Sequence, residues 1–168
     1  VIQIAANVMA AAQRLAPLLH LEANSKIDPV TALLAIAHVE TSGGVRAMAS
    51  KHETAYCYGG RYHSIRLRDL SRVWGCCAHS SWGPWQILYI TAVEAGFTGD
   101  PVLLRDPEVS GPYVVAVMNR RVFDALQGET IIHLFDAWNS GNPRDKIVPT
   151  EYIERATEAY IQLERDLA

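Results

Sequence analysis

Asp28-Pro29-Val30-Thr31-Ala32-Leu33-Leu34-Ala35-Ile36-Ala37-His38-Val39-Glu40 decides how this chain reads. Asp28 is a helix cap and Pro29 suits a first helical position. The apolar run then predicts a buried helix that Gly43-Gly44 ends just past Glu40. Leu33 and Ile36 share a face with Glu40, so the carboxyl points to the apolar side. Burial and the negative helix end both raise a carboxyl pKa, the condition a general acid needs at neutral pH. Taken alone, a solvated glutamate at a helix end explains the position as well.

Outward from that helix, apolar residues at three- and four-residue spacing predict an amphipathic helix over 1–21, kinked or split at Pro17. Residues 45–80 are polar, rich in Tyr, His, Arg and Gly, and hold all three cysteines. Gly59-Gly60 suggests a hairpin there, and Ile65–Trp74 a short helix. Helical patterning resumes over 84–95, with Gly96 as the stop. Asp106-Pro107-Glu108 opens another helix, interrupted or restarted at Gly111-Pro112 and running to about Gln127. Two more follow, over Ile131–Ser140, stopped by Gly141 and Pro143, and over 150–167, opened by Pro149 and Thr150. The fold class expected is mainly α, one domain over 1–168, with a small β element in the 45–80 insertion.

The 168 residues suffice for one core, and the 49% hydrophobic, 20% charged composition is that of a globular chain. A net charge of −3 disfavours nucleic acid as a partner, and no apolar stretch has membrane-spanning length. The chain begins at Val1 without an initiator Met or a signal peptide, so it reads as a processed or partial chain. A monomer is expected.

His52, Cys57, His63, Cys76, Cys77 and His79 are metal-binding types without paired zinc spacing. No metal and no cofactor is expected. One disulfide from Cys57 to Cys76 or Cys77 is open, whereas vicinal Cys76–Cys77 would be strained.

Two further segments carry chemistry. Ser80-Ser81-Trp82-Gly83-Pro84-Trp85-Gln86-Ile87 sets tryptophans beside a tight turn and an amide, which suits stacking on sugar rings. Core tryptophans at a helix start explain it equally. Phe135-Asp136-Ala137-Trp138-Asn139-Ser140-Gly141 is a helix end with an aromatic and an amide, or a plain left-handed stop.

Together and in this order, the three segments resemble the lysozyme-like lytic transglycosylases, the soluble lytic transglycosylase domain related to goose-type lysozymes. Leu33 through Ser42 resembles the family's apolar helix ending in Glu-Ser, with Thr41 in place of the serine. Gly83-Pro84-Trp85-Gln86-Ile87 resembles Gly-Leu-Met-Gln-Ile, and Leu104-Arg105-Asp106-Pro107-Glu108-Val109 resembles Leu-Phe-Asp-Pro-Glu. Ala137-Trp138-Asn139-Ser140-Gly141 resembles Ala-Tyr-Asn-Ala-Gly, and Pro149-Thr150-Glu151-Tyr152-Ile153 the late Pro-Glu-Thr…Tyr-Val segment. The likeness runs from about residue 30 to the end. The long 45–80 segment, Pro84-Trp85 and Trp138 depart from the family pattern.

The resemblance implies a lysozyme-like fold and cleavage of the β-1,4 bond between N-acetylmuramic acid and N-acetylglucosamine in peptidoglycan strands. Glu40 would be the single acid and base, leaving 1,6-anhydromuramic ends. Trp82, Trp85 and Trp138 would wall the groove. Gln86 would orient the sugar, Asn139 would bond the sugar or the Glu40 carboxylate, and Tyr152 would reach Glu40 or the N-acetyl group. Ser42 would support Glu40, though a local helix-end hydrogen bonder explains it equally. The place of action would be the periplasm or cell envelope, a phage particle or a secretion apparatus. Hydrolysis of the same bond is the alternative, with Glu53 or Asp69 as second carboxylate, though both also read as solvated surface charge. A third reading is a non-catalytic glycan-binding module on the same scaffold.

Overall fold

The computed structural model describes residues 1–22, 25–45, 50–57, 59–62, 64–123 (backbone alone at 122 and 123), 130–141 and 150–168. His63, Pro143, Pro149 and the helix end expected near Gln127 lie outside the described residues.

The fold is mainly helical, and its axis is α2, Pro29–Thr41. Asp28 Oδ1 accepts from the Thr31 amide at 2.7 Å, a cap that stabilises by about 1 kcal/mol. Residues Thr31 to Ala37 are all buried, because the helix is apolar on every side and other elements must cover it. The last helix, α7 (Glu151–Leu167), packs along it. Ile153, Ala156, Ala159, Tyr160 and Leu163 form the buried stripe of α7 at helical spacing, and Tyr160 Oη accepts from the Asp28 amide at 2.8 Å. α1 (Ala6–Leu15) covers another side of α2. It is shorter than the 1–21 pattern predicted: it starts at Ala6, and Pro17 opens a 3-10 turn at Ala16–Leu18.

A three-stranded antiparallel sheet forms in the middle of the chain from β1 (Lys51–His52), β2 (Ser80–Trp82) and β3 (Ile87–Leu88). Its hairpin is not at Gly59-Gly60. β2 turns into β3 through Gly83-Pro84-Trp85-Gln86, and β1 joins the far side of β2, with Lys51 opposite Ser81 and Ser81 opposite Leu88. α3 (Ile65–Trp74) has the expected bounds.

The helix expected over 84–95 is confined to α4, Tyr89–Glu94. Gly83 and Gln86 hold positive φ, +73° and +49°, and Ile87 and Leu88 spend their backbone groups on β2. A β-carbon on Gly83 would stand 2.2 Å from the Leu104 carbonyl oxygen, so only glycine fits this corner. Gly111-Pro112 does not interrupt α5, which runs from Pro107 to Met118. The close approach of Leu15, whose Cδ1 lies 2.4 Å from where a Gly111 β-carbon would be, buries this stretch and offsets the hydrogen bond that Pro112 removes. A π-helical turn, Asn119–Phe123, continues α5. α6 is Ile131–Ser140, capped by Thr130 and stopped by left-handed Gly141.

Candidate functional site

Glu40 lies in the last turn of α2 and lines a cavity of about 280 Å³. The cavity floor follows from the sheet register. Lys51, Ser81 and Leu88 stand side by side across the three strands and all face the cavity. Glu53, two residues past Lys51, falls on the same side. Gln86 arrives from the hairpin turn, Thr91 from α4, Arg121 from the π-helical turn, and Trp138 and Asn139 from the end of α6.

The turn and the helix end are joined. Thr41 is buried, and its Oγ1 lies 2.9 Å from the Pro84 carbonyl and 3.0 Å from that of Ala37, so its one proton serves either. The same oxygen accepts from the Gly44 amide at 3.1 Å. Trp85 Nε1 donates to the Leu33 carbonyl at 3.0 Å. Gln86 Nε2 donates to the Gly83 carbonyl at 3.0 Å, which helps hold a non-glycine residue in the left-handed region, a conformation that clusters at functional sites.

Burial pushes the Glu40 carboxyl above its ordinary value of 4.5, and the charge of Glu53 adds to this; the Tyr152 hydroxyl, Lys51 and the Trp138 indole pull the other way. Tyr152 Oη is buried without a hydrogen bond of good geometry, and the group it faces is Glu40. Burial first, then the charge of Glu40, holds its phenol well above the ordinary range. A raised carboxyl pKa means that the folded chain holds the proton more tightly than the unfolded one. Stability should therefore fall as pH climbs from about 4.5 through the raised value. Glu40→Gln is accordingly expected to be more stable than the parent at pH 7, with the difference vanishing below the ordinary value; thermal melts across pH 4–8 would read it.

Several residues proposed from sequence take other positions. Trp82 and Trp85 do not wall the cavity: their exposures are 2% and 0%. Trp82 donates to the Cys77 carbonyl at 3.2 Å and lies under the Arg105 guanidinium. Both indoles find backbone acceptors inside, which makes them core residues. Ser42 does not line the cavity either; with φ of +54° it is the cap that stops α2. Asp69 sits on the exposed side of α3 between Arg68 and Arg72. Glu53 alone of the two candidate second carboxylates reaches the cavity, where it accepts from Ser81 Oγ at 3.1 Å and pairs with Lys51 at 3.2 Å.

The three thiols are free, so the disulfide considered from sequence is not formed. Cys57 Sγ instead lies 3.0 Å from His52 Nε2, and His79 is engaged by Ser71 and the Tyr56 carbonyl. Among the described residues no cluster suited to a metal ion occurs, and no helix is long and apolar enough to cross a membrane.

Sequence reasoning passed over Lys51, Tyr56, Ser81, Thr91 and Arg121, all of which line the cavity. Lys51-x-Glu53 carried a usable signal, since alternate residues of a strand share a face. Arg121 carried none, because its direction depends on a π-helical turn. No family model matches the chain, and no curated protein or solved structure matches it.

Proposed function

We propose that this chain is a peptidoglycan-cleaving enzyme of lysozyme-like fold, with Glu40 as its acid and base and a lytic transglycosylase outcome. The observation that carries the reading is the setting of Glu40. A carboxyl with a raised pKa lies in one cavity with Gln86, Trp138 and Asn139, side chains from segments far apart in sequence and in the order of the family the chain resembles. In this mechanism Glu40 gives its proton to the glycosidic oxygen as the C1–O bond breaks. The N-acetyl carbonyl of the muramic residue supports the positive charge at C1, one of the accepted exceptions to the two-carboxylate rule. The C6 hydroxyl then bonds to C1 and returns its proton to Glu40, closing a 1,6-anhydro ring without consuming water.

One observation favours hydrolysis as a second reading. Glu53 shares the cavity and is oriented by Ser81 and Lys51, as a carboxylate that positions water would be. The non-catalytic reading loses support, because two tryptophans of its supposed platform are core residues. Mass spectrometry of digested sacculi separates the outcomes. Anhydromuramic ends, unchanged in Glu53→Gln, are expected of the transglycosylase. Reducing ends, with a loss of about 10²-fold or more in Glu53→Gln, would establish hydrolysis. Intact sacculi would refute both.

A further inference from the structure

Two cations line the cavity among the described residues, Lys51 and Arg121, and they differ in what they face. Lys51 pairs with Glu53 at 3.2 Å, so that charge is balanced inside the cavity. Arg121 pairs with Glu94, which does not line it. That ion pair is long, 3.4 Å, and its side chains are 31% and 37% exposed, so it holds the guanidinium loosely and, among the described residues, uses one donor of five.

The placement of Arg121 is built into the fold. The π-helical turn that carries it is of a kind found mostly as single turns and frequently at functional sites. Asn119 fixes the start of that turn: it is 8% exposed, its Oδ1 accepts from the His20 amide at 2.8 Å, and its Nδ2 donates to the Leu18 carbonyl at 2.9 Å. At its other side the guanidinium borders the end of α6, with Nη1 3.6 Å from where a β-carbon on Gly141 would stand. Arg121 thus spans from α4 to the helix end that presents Trp138 and Asn139. A neutral glycan offers this planar donor fork only single hydroxyl or acetamide oxygens, whereas a carboxylate on the sugar matches it with two parallel, charge-assisted hydrogen bonds.

We propose that Arg121 is a specificity-determining residue that takes a carboxylate carried by the glycan, selecting acidic strands over neutral ones such as chitin. This rests on the glycan reading of the cavity. The carboxylate has two possible sources, the lactyl group of a peptide-free muramic residue or a stem peptide.

The test is calorimetric titration in a Glu40→Gln background, which blocks turnover, with three tetrasaccharides: chitotetraose, the peptide-free N-acetylglucosamine–N-acetylmuramic acid tetramer, and the same tetramer bearing stem peptides. An acidic tetramer should bind about tenfold or more tightly than chitotetraose, with the preference weakening in salt. Preference for the peptide-free tetramer assigns the lactyl carboxylate; preference only for the peptide-bearing one assigns the stem. Arg121→Gln should abolish the preference and Arg121→Lys restore part of it. Glu94→Gln, which removes the competing carboxylate, should strengthen binding of the acidic tetramer and leave chitotetraose unchanged, and it stands in for Arg121→Gln should that variant not fold. Equal affinity for all three, or a preference that survives Arg121→Gln, overturns the proposal and leaves the glycan reading standing. No binding of any tetrasaccharide overturns both.

Discussion

Purified, folded Glu40→Gln protein is expected to leave sacculi intact, with cleavage down by about 10²–10⁴-fold or more, a barrier increase of about 3–5 kcal/mol. The substitution is close to isosteric and keeps an amide able to bond Tyr152 and Trp138, so what it removes is the transferable proton. The parent's rate should fall on the alkaline side as Glu40 ionises, at a pH above the ordinary glutamate range because burial holds the proton on. Turbidity clearance with release of soluble muropeptides is the measurement. Clearance by Glu40→Gln at the parent's rate would exclude Glu40 as the acid.

Trp85→Ala should produce the largest loss of stability of any single change near the cavity, about 3–5 kcal/mol. The indole is fully buried, so its removal leaves a void that close-packed neighbours fill only in part. It also deletes the hydrogen bond to the Leu33 carbonyl. For a chain of this size the melting temperature should drop by on the order of 10 °C. An indole that walled a groove would behave differently, costing glycan affinity and sparing the melt. Thermal unfolding beside glycan titration separates these cases.

The helix starts marked by a capping side chain were legible because they depend on neighbours in sequence. Asp28, Asp106 and Thr150 each cap the helix they announce, since a cap needs only its own side chain and an amide two or three residues on. The apolar helix singled out Glu40 but left a solvated helix end as an equal explanation, since the groups around it, Tyr152, Lys51, Glu53 and Trp138, come from other segments. Trp82 and Trp85 were not legible, because stacking on a sugar and packing in a core ask for the same flat apolar ring, and only the tertiary position decides. Ser42 and Thr41 were exchanged in emphasis, since the left-handed turn after α2 and the partner at Pro84 are both invisible locally. The hairpin was misplaced for a related reason. Gly59-Gly60 is a stronger local turn signal than Gly83-Pro84-Trp85-Gln86, but β2 and β3 flank the latter. The continuity of α5 through Pro112 is a case of tertiary burial overriding a local breaker.

The link from Thr41 to Pro84 and from Trp85 to Leu33 gives the cavity one fixed jaw. Glu40 and Gln86 are held together by these two bonds, and the opposite jaw is built from other segments, the π-helical turn and the end of α6. Substitutions in those segments should then change what the cavity accepts while leaving the place of Glu40 unchanged.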